Sequence, residues 1–584
     1  MSSMQAPLLA VNDVADGRFD AVVFVNDNTA DLGSNCASIE EALKAYAKVN
    51  PQVGCELSVI AFPKHPSGRL IFCPTGALNT DTADIRNVYD AAYEGFKRLF
   101  GNISVKLHGR PPFEPGILYR ASRRFFNHSH LQIFCPTGAL NTDTADIRNV
   151  YDAAFEGFKR VVSMGFKSPL LYVGPLRSAS HGFHWMQPKT LLLNALLGAY
   201  HACYTPLEVR EMLPEKYPKV TQIGVMGADE LLLKIASAIE EGRWITRDVG
   251  GSDPERMAAP AIAQYLQSML GGAEGVKMRV EKVDGKKYPL MAAVNRAASV
   301  VSRHDGRVIH LDYEPPNHQK VDTSLFLIGK GITYDTGGAD IKAGGVMAGM
   351  HRDKSGAAAI AGLFKTISRL QPPGLSVSAS LAFVRNSVGA DSYVADEIII
   401  SRAGRRVRVG NTDAEGRMVM ADLLCEAKEK AVHATNPFLF TIATLTGHVV
   451  RAYKHFTALM DNGPARLKHV SQELQMSGDR ISDLAEISTV RKEDFDFNKG
   501  QTEYEDILQC NNLPSSATSR GHQIPAAFLS MASGLDKHGL DSDKPLPFTH
   551  VDVAGSAAEI HVQATAAPLM MFASQYVLPR VGFK

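Results

Sequence analysis

Hydrophobic and polar positions change rhythm along this chain. From about residue 245 onward, short apolar runs alternate with longer stretches in which apolar residues return every three or four positions. The runs at 323–328, 376–384, 438–445 and 548–553 are short and nearly unbroken, which predicts strands buried on both faces. Helical spacing over 355–370, 414–431 and 526–533 lies between or beside them. That alternation predicts an α/β sheet with helices on both faces.

Residues 1 to about 220 mix strand and helix patterns without a cluster of chemistry-bearing side chains. Strands are expected at 21–25, 58–62 and 170–173, and an amphipathic helix at 39–49. A helical pattern over 226–243 reads as a connector, and a second helical run ends near Leu270. With 584 residues, two domains are the expectation. These are a smaller N-terminal α/β domain, 1–222, and a larger C-terminal α/β domain, 223–584, whose mixed sheet is flanked by helices.

The N-terminal part contains a repeat. Residues 71–98, IFCPTGALNTDTADIRNVYDAAYEGFKR, return at 133–160 with one change, Tyr93 to Phe155. Two near-identical copies do not make a solenoid, which stacks three or more diverged units. The pattern reads as a recent duplication or as an error in assembling the chain from its gene. One packing slot suits one copy. The later copy is expected to fill it, because it runs into Val161-Val162 and the strand at 170–173. The earlier copy, with the irregular spacer 99–132, is expected to form a poorly packed excursion.

Composition narrows the function. A formal net charge of +1 argues against a dedicated nucleic-acid or membrane surface. The apolar stretch 191–204 is too short to span a bilayer. Seven scattered cysteines without a Cys-x-x-Cys pair, and no basic-then-apolar leader at Met1, point to reduced thiols and a cytoplasmic protein. His181 and His184 lack a Cys or carboxylate companion and read as structural, and His304, His310 and His318, among polar turns, read as surface or structural.

Chemistry concentrates in two stretches at predicted strand ends. Gly410-Asn411-Thr412-Asp413-Ala414-Glu415-Gly416-Arg417 crowds two carboxylates and a guanidinium at a strand-to-helix turn. A metal ion or a helix N-terminus would each favour acids there. The second stretch carries Lys330, Asp335, Gly337-Gly338, Lys342 and Asp353, and no phosphate-binding Gly-x-x-x-x-Gly-Lys pattern. Four acids together cannot all be ionised near neutral pH without positive charge among them. Two divalent ions would satisfy them, and oxygen donors without thiols suit Zn²⁺, Mn²⁺ or Mg²⁺.

Lys330-Gly-Ile-Thr-Tyr-Asp335-x-Gly-Gly, Lys342, Asp353 and Asn-Thr-Asp413-Ala-Glu415-Gly-Arg417 resemble, in order and spacing, the leucine aminopeptidase family of di-metal peptidases. The likeness covers roughly residues 245–584. It implies a cytosolic aminopeptidase acting on peptide substrates, assembled as a homohexamer. It further implies that Asp335 and Glu415 bridge two ions, Asp413 completes one site, and Lys330 and Asp353 complete the other. As a neutral amine ligand, Lys330 would need a strongly lowered pKa. Lys342 would polarise the scissile carbonyl, and Arg417 would hold a bicarbonate as general base. Met350, Thr444, Leu445 and Gly447 match the pocket for the first side chain, although a Met beside an Ala-rich helix is also ordinary core.

Three positions depart from the family pattern. His448 and Asp340 stand where small residues are usual, and Ser355 replaces a glycine. His448 is expected to make the pocket rim narrower or more polar, and Asp340 to add an acid near Lys342. Two other functions stay open on sequence: a member of this fold with a binding or structural role, and a narrow dipeptidase of the cysteinylglycine type.

Overall fold

The computed structural model describes residues 6–11, 18–19, 21–26, 41, 44, 48, 58–61, 69–72, 131–137, 145–174, 187–316, 319–513, 517–557 and 562–583. Most of the expected helix at 39–49, most of the first repeat copy and its spacer, His181, His184 and His318 lie outside them. The chain divides into two compact units, one comprising residues 1–205 and 209–237, the other 206–208 and 238–584.

The first unit is built on a seven-stranded sheet. Its strands are β1 (Leu8–Val11), β2 (Ala21–Asn26), β3 (Ser58–Ala61), β4 (Arg69–Phe72), β5 (Leu131–Pro136), β6 (Pro169–Val173) and β7 (Ile223–Met226), in the order β1-β7-β6-β2-β5-β4-β3. The second repeat copy supplies β5, parallel to β2, and then helix α1 (Arg148–Ser163). That helix buries Val150, Ala153, Ala154, Phe158 and Val161, the spacing of one helical face. Helix α2 (Pro188–Cys203) packs against it closely, since a side chain at Gly198 would meet the Tyr151 carbonyl at 2.2 Å.

The opening of the first copy is not an excursion. Ile71 and Phe72 belong to β4, which pairs with β3 and also runs parallel to β5, with Ile71 beside Ile133 and Phe72 beside Phe134. The two copies therefore place their identical strands next to one another, in matching register. Identical residues with identical strand propensity extend the sheet by one strand, so a second slot exists beside the first.

The second unit carries the chemistry. Its larger sheet uses β8 (Val276–Lys282), β9 (Arg307–Tyr313), β10 (Thr323–Asp335) and β11 (Leu375–Asn386) in the first half. After the short β12 (Ile398–Ile400) and β13 (Arg406–Arg408) come β14 (Pro437–Ala443), β15 (Thr457–Asp461), β16 (Ala485–Ile487), β17 (Ile507–Leu508) and β18 (Phe548–Asp552). The order is β16-β15-β18-β14-β10-β11-β9-β8, with β18, β14, β10 and β11 parallel, β9 antiparallel to both β11 and β8, and β15 antiparallel to β18 but parallel to β16. The sheet is thus mixed. β12, β13 and β17 form a separate small sheet.

Strand β10 is buried along its whole length except at Tyr334, as expected for a central parallel strand covered on both faces. Helix α3 (Ser355–Leu370) seats directly on it through small residues. A side chain at Gly329 would meet the Ala357 backbone at 2.6 Å, and one at Gly356 the Ile442 carbonyl at 2.1 Å. Helix α4 (Glu415–Ala431) is buried from its first residue. No helix among the described residues is long and apolar enough to cross a membrane. His310 is buried between Ser380 and Glu281, and His304 contacts Glu255, so both are structural.

Candidate metal centre

Four elements end at one place. β10 brings Lys330 from its middle and Asp335 from its last position, and Asp353 stands just ahead of α3. The turn after β13 supplies Asp413, and the first turn of α4 supplies Glu415 and Arg417. A register shift between Ile332 and Asp335 breaks the β10–β11 ladder just before Asp335, which then pairs with Asn386. Asp335 stands at the carboxyl end of the central parallel strand β10, the usual place for a site in an open α/β sheet, and the other side chains gather around it.

Carboxylate oxygens of Asp335, Asp353 and Glu415 come within 4.8 Å of one another, and all three residues are buried. Lys330 Nζ lies 2.7 Å from Asp353 Oδ1, 2.9 Å from Glu415 Oε1 and 2.9 Å from the Thr444 carbonyl. Lys342 Nζ lies 3.0 Å from Asp335 Oδ2 and contacts Asp413. The structure therefore gathers all five expected ligands and Lys342 into one cluster.

Burial, followed by the charges of Asp335 and Glu415, pushes Asp413 up to about 7. Burial is also the main reason that Asp353 and Glu415 are raised, with neighbouring carboxylates adding to it and Lys330 opposing. Lys330 moves the other way from the expectation for a ligand. Burial disfavours its charge, but Asp353, Glu415 and Asp335 outweigh that and hold the ammonium above its ordinary range. The charges facing it here are all negative, and only added positive charge would reverse the direction.

Other residues, silent in the sequence, hold this cluster in place. Asn386 Nδ2 donates to Asp335 Oδ1 at 2.8 Å and to the Thr412 carbonyl at 3.1 Å. Gln509 clamps the 410–414 turn. Its Oε1 accepts from the Gly410 and Asn411 N–H groups, and its Nε2 donates to the Asn411 and Ala414 carbonyls. The Gln509 carbonyl accepts from Arg417 at 3.0 Å. Asp552 accepts from the Leu445 N–H and the Thr446 hydroxyl, fixing the end of β14. Asn386 ends the strand beside β10, and that strand-end position was the available signal. Gln509 is almost a hundred residues from its partners and gave none.

Thr444 also touches the cluster, donating to Asp353 Oδ1 at 2.8 Å. Leu445 packs over Gly416, where an added side chain would meet it at 2.5 Å. Gly447 faces open space, and Met350 is half-buried in the short turn before Asp353. The His448 ring occupies the room left by Gly521, with both ring nitrogens buried. Ser355 donates to the Arg352 carbonyl at 2.6 Å, a local bond rather than a site contact. Asp340 stands two residues before Lys342. It accepts hydrogen bonds from Thr412.

Residues 244–573 match the catalytic domain of the cytosol aminopeptidase family. A Caenorhabditis elegans protein that carries an aminopeptidase name is 42% identical over 457 residues, covering 77% of this chain and 85% of its own. A Persephonella marina protein with a cytosol aminopeptidase name is 31% identical over 329 residues, 56% of this chain and 60% of that one. Among solved structures, leucyl aminopeptidase from Trypanosoma brucei in complex with bestatin shares the fold with a TM-score of 0.69. It is 16% identical, over 98% of this chain and 95% of its own. The bottromycin maturation enzyme BotP in complex with Mn has a TM-score of 0.63 at 19% identity, over 79% of this chain and 96% of its own.

Proposed function

Because the chain belongs to the cytosol aminopeptidase family and is thereby a hydrolase of the aminopeptidase type, we propose that it removes N-terminal residues from peptides with the help of two divalent ions. Zinc, manganese and magnesium all suit the oxygen-rich donor set. The observation that carries the reading is the convergence of three buried carboxylates within 4.8 Å. Asp353 Oδ2 is buried among them without a hydrogen-bond partner among the described residues, as a metal ligand would be.

In this reading Asp335 and Glu415 would bridge the ions, with Asp413 completing one site and Lys330 and Asp353 the other. Ions held there would lower the pKa of bound water and polarise a carbonyl. Lys342, only slightly exposed at the mouth of the cluster, donates to the oxyanion that forms at the scissile carbonyl. Arg417 would hold a bicarbonate, a weak base for the proton of the attacking water. Its Nε is buried with no hydrogen-bond partner among the described residues, which leaves a donor for an anion. Met350, Thr444, Leu445 and Gly447 would line the pocket for the first side chain. A cytoplasmic homohexamer completes the proposal.

Purified protein with Mn²⁺ or Zn²⁺, tested on a panel of dipeptides and aminoacyl amides, is the direct test. Free-amine substrates should be cleaved and N-acetylated ones left intact. Cleavage of neither class would leave only a binding or structural role. Activity confined to cysteinylglycine-type dipeptides would narrow the function accordingly.

A further inference from the structure

Asp340 lies at the tip of the turn that runs from Asp335 to Lys342. That turn closes on itself through the Lys342 N–H, which donates to the Thr336 carbonyl at 2.9 Å. Gly337 and Gly338 make the turn possible, both with positive φ. A side chain at Gly337 would meet the Asp340 carbonyl at 2.5 Å, and one at Gly338 the Thr412 side chain at 3.0 Å.

Thr412 fills the space so cleared. Its N–H donates to Asp340 Oδ2 at 2.7 Å, and its Oγ1 accepts from the Asp340 N–H at 2.8 Å. The hydroxyl proton can go to the Gly337 carbonyl at 2.6 Å or to Asp340 Oδ2 at 3.0 Å. On its other side the Thr412 carbonyl accepts from Asn386 Nδ2 and, at 2.7 Å, from the Tyr393 hydroxyl. Thr412 is fully buried, and Asp340 reaches it from an exposed position, so the bond to the carboxylate is charge-assisted but open to water on the Asp340 side.

We propose that Asp340 is a positioning residue, a carboxylate clasp that locks the turn carrying Lys342 onto the turn carrying Asp413 and Glu415. It rests on the reading that Lys342 serves the reaction. Asp340 is two residues from Lys342 and binds the residue next to Asp413, so the clasp fixes the spacing between the lysine and the acids that face it. Its carboxylate is not among the oxygens that converge for a cation. Small displacements of a reacting group can cost up to about a hundredfold in rate, and the clasp acts on that displacement.

The test compares Asp340→Ala, Asp340→Asn and Lys342→Ala with the parent, measuring bound metal, melting temperature, kcat and KM. Asn retains an oxygen that accepts the Thr412 N–H. Asp340→Ala should lower kcat about tenfold, with metal content and KM close to the parent, and Asp340→Asn should recover to within about threefold. An Asp340→Ala kcat within twofold of the parent overturns the clasp, as does loss of metal in step with kcat or failure of Asn to recover. If Lys342→Ala itself keeps its kcat, the role of the lysine falls first, whatever the Asp340 variants do.

Discussion

Removing residues 71–132 excises one repeat period and shortens the 584-residue chain by 62, to 522. The new junction, Arg69-Leu70-Ile133-Phe134, reads like the present Arg69-Leu70-Ile71-Phe72. The joined strand can keep both sets of partners. Its residues repeat the β4 pairings with β3, Leu70 with Ile60 and Ile with Val59, while Ile133 and Phe134 keep Val23 and Phe24 of β2. The directions agree, because β4 and β5 are already parallel. What disappears is the β4–β5 ladder, two residue pairs. At about 0.2–1 kcal/mol per pair, the loss is about 2 kcal/mol at most. For a unit of this size, that is a fall of about 8 °C or less in Tm. All seven proposed metal and catalytic residues belong to the other unit, so kcat should stay within twofold. Thermal melting and an activity assay on the shortened chain are the check. An insoluble product, or a tenfold loss of activity, would show that the extra strand is integral to the sheet and refute the reasoning.

Lys342→Ala should keep its metals while kcat falls about 10²- to 10³-fold, the cost of removing one oxyanion donor, measured by steady-state kinetics beside elemental analysis. Arg417→Ala should also keep its metals, and part of its lost rate should return when bicarbonate is added to degassed buffer. Asp483 is buried, which pushes it up to about 6, and it accepts the Met571 N–H at 3.0 Å. With its folded pKa above the unfolded value, its stabilising contribution is complete below about pH 4 and is lost as pH rises through about 6. Asp483→Asn stays neutral, so its stability relative to the parent should rise between pH 4 and 7, by up to about 3 kcal/mol, in denaturant melts at each pH.

The catalytic half of the chain was legible because its chemistry is local. Lys330, Asp335 and Lys342 lie in one stretch, Asp413, Glu415 and Arg417 in another, and each stretch sits where an apolar run ends. Helix α3 begins and ends where its helical spacing does, at Ser355 and Leu370. What escaped were single polar residues that act across long sequence distances. Gln509 reaches the 410–414 turn, Asp552 reaches Leu445 and Thr446, and Thr412 reaches Asp340, none of which leaves a pattern along the chain. The acid at Asp340 is legible in the sequence, and its donors on Thr412 are not. The duplicated strand was misjudged for a different reason. Two identical segments have the same preference for a sheet, and only the pairing shows that both are accommodated.

The central claim, a two-ion centre bridged by Asp335 and Glu415, is tested most directly by metal content and turnover of Glu415→Ala. Glu415 is almost fully buried and sits 2.9 Å from Lys330. The parent, loaded with Mn²⁺ or Zn²⁺ and freed of excess metal, should hold two equivalents per chain. The variant should lose at least one of them and nearly all of its aminopeptidase activity. A Glu415→Ala protein that still binds two equivalents and turns over at the parent's rate would contradict the account.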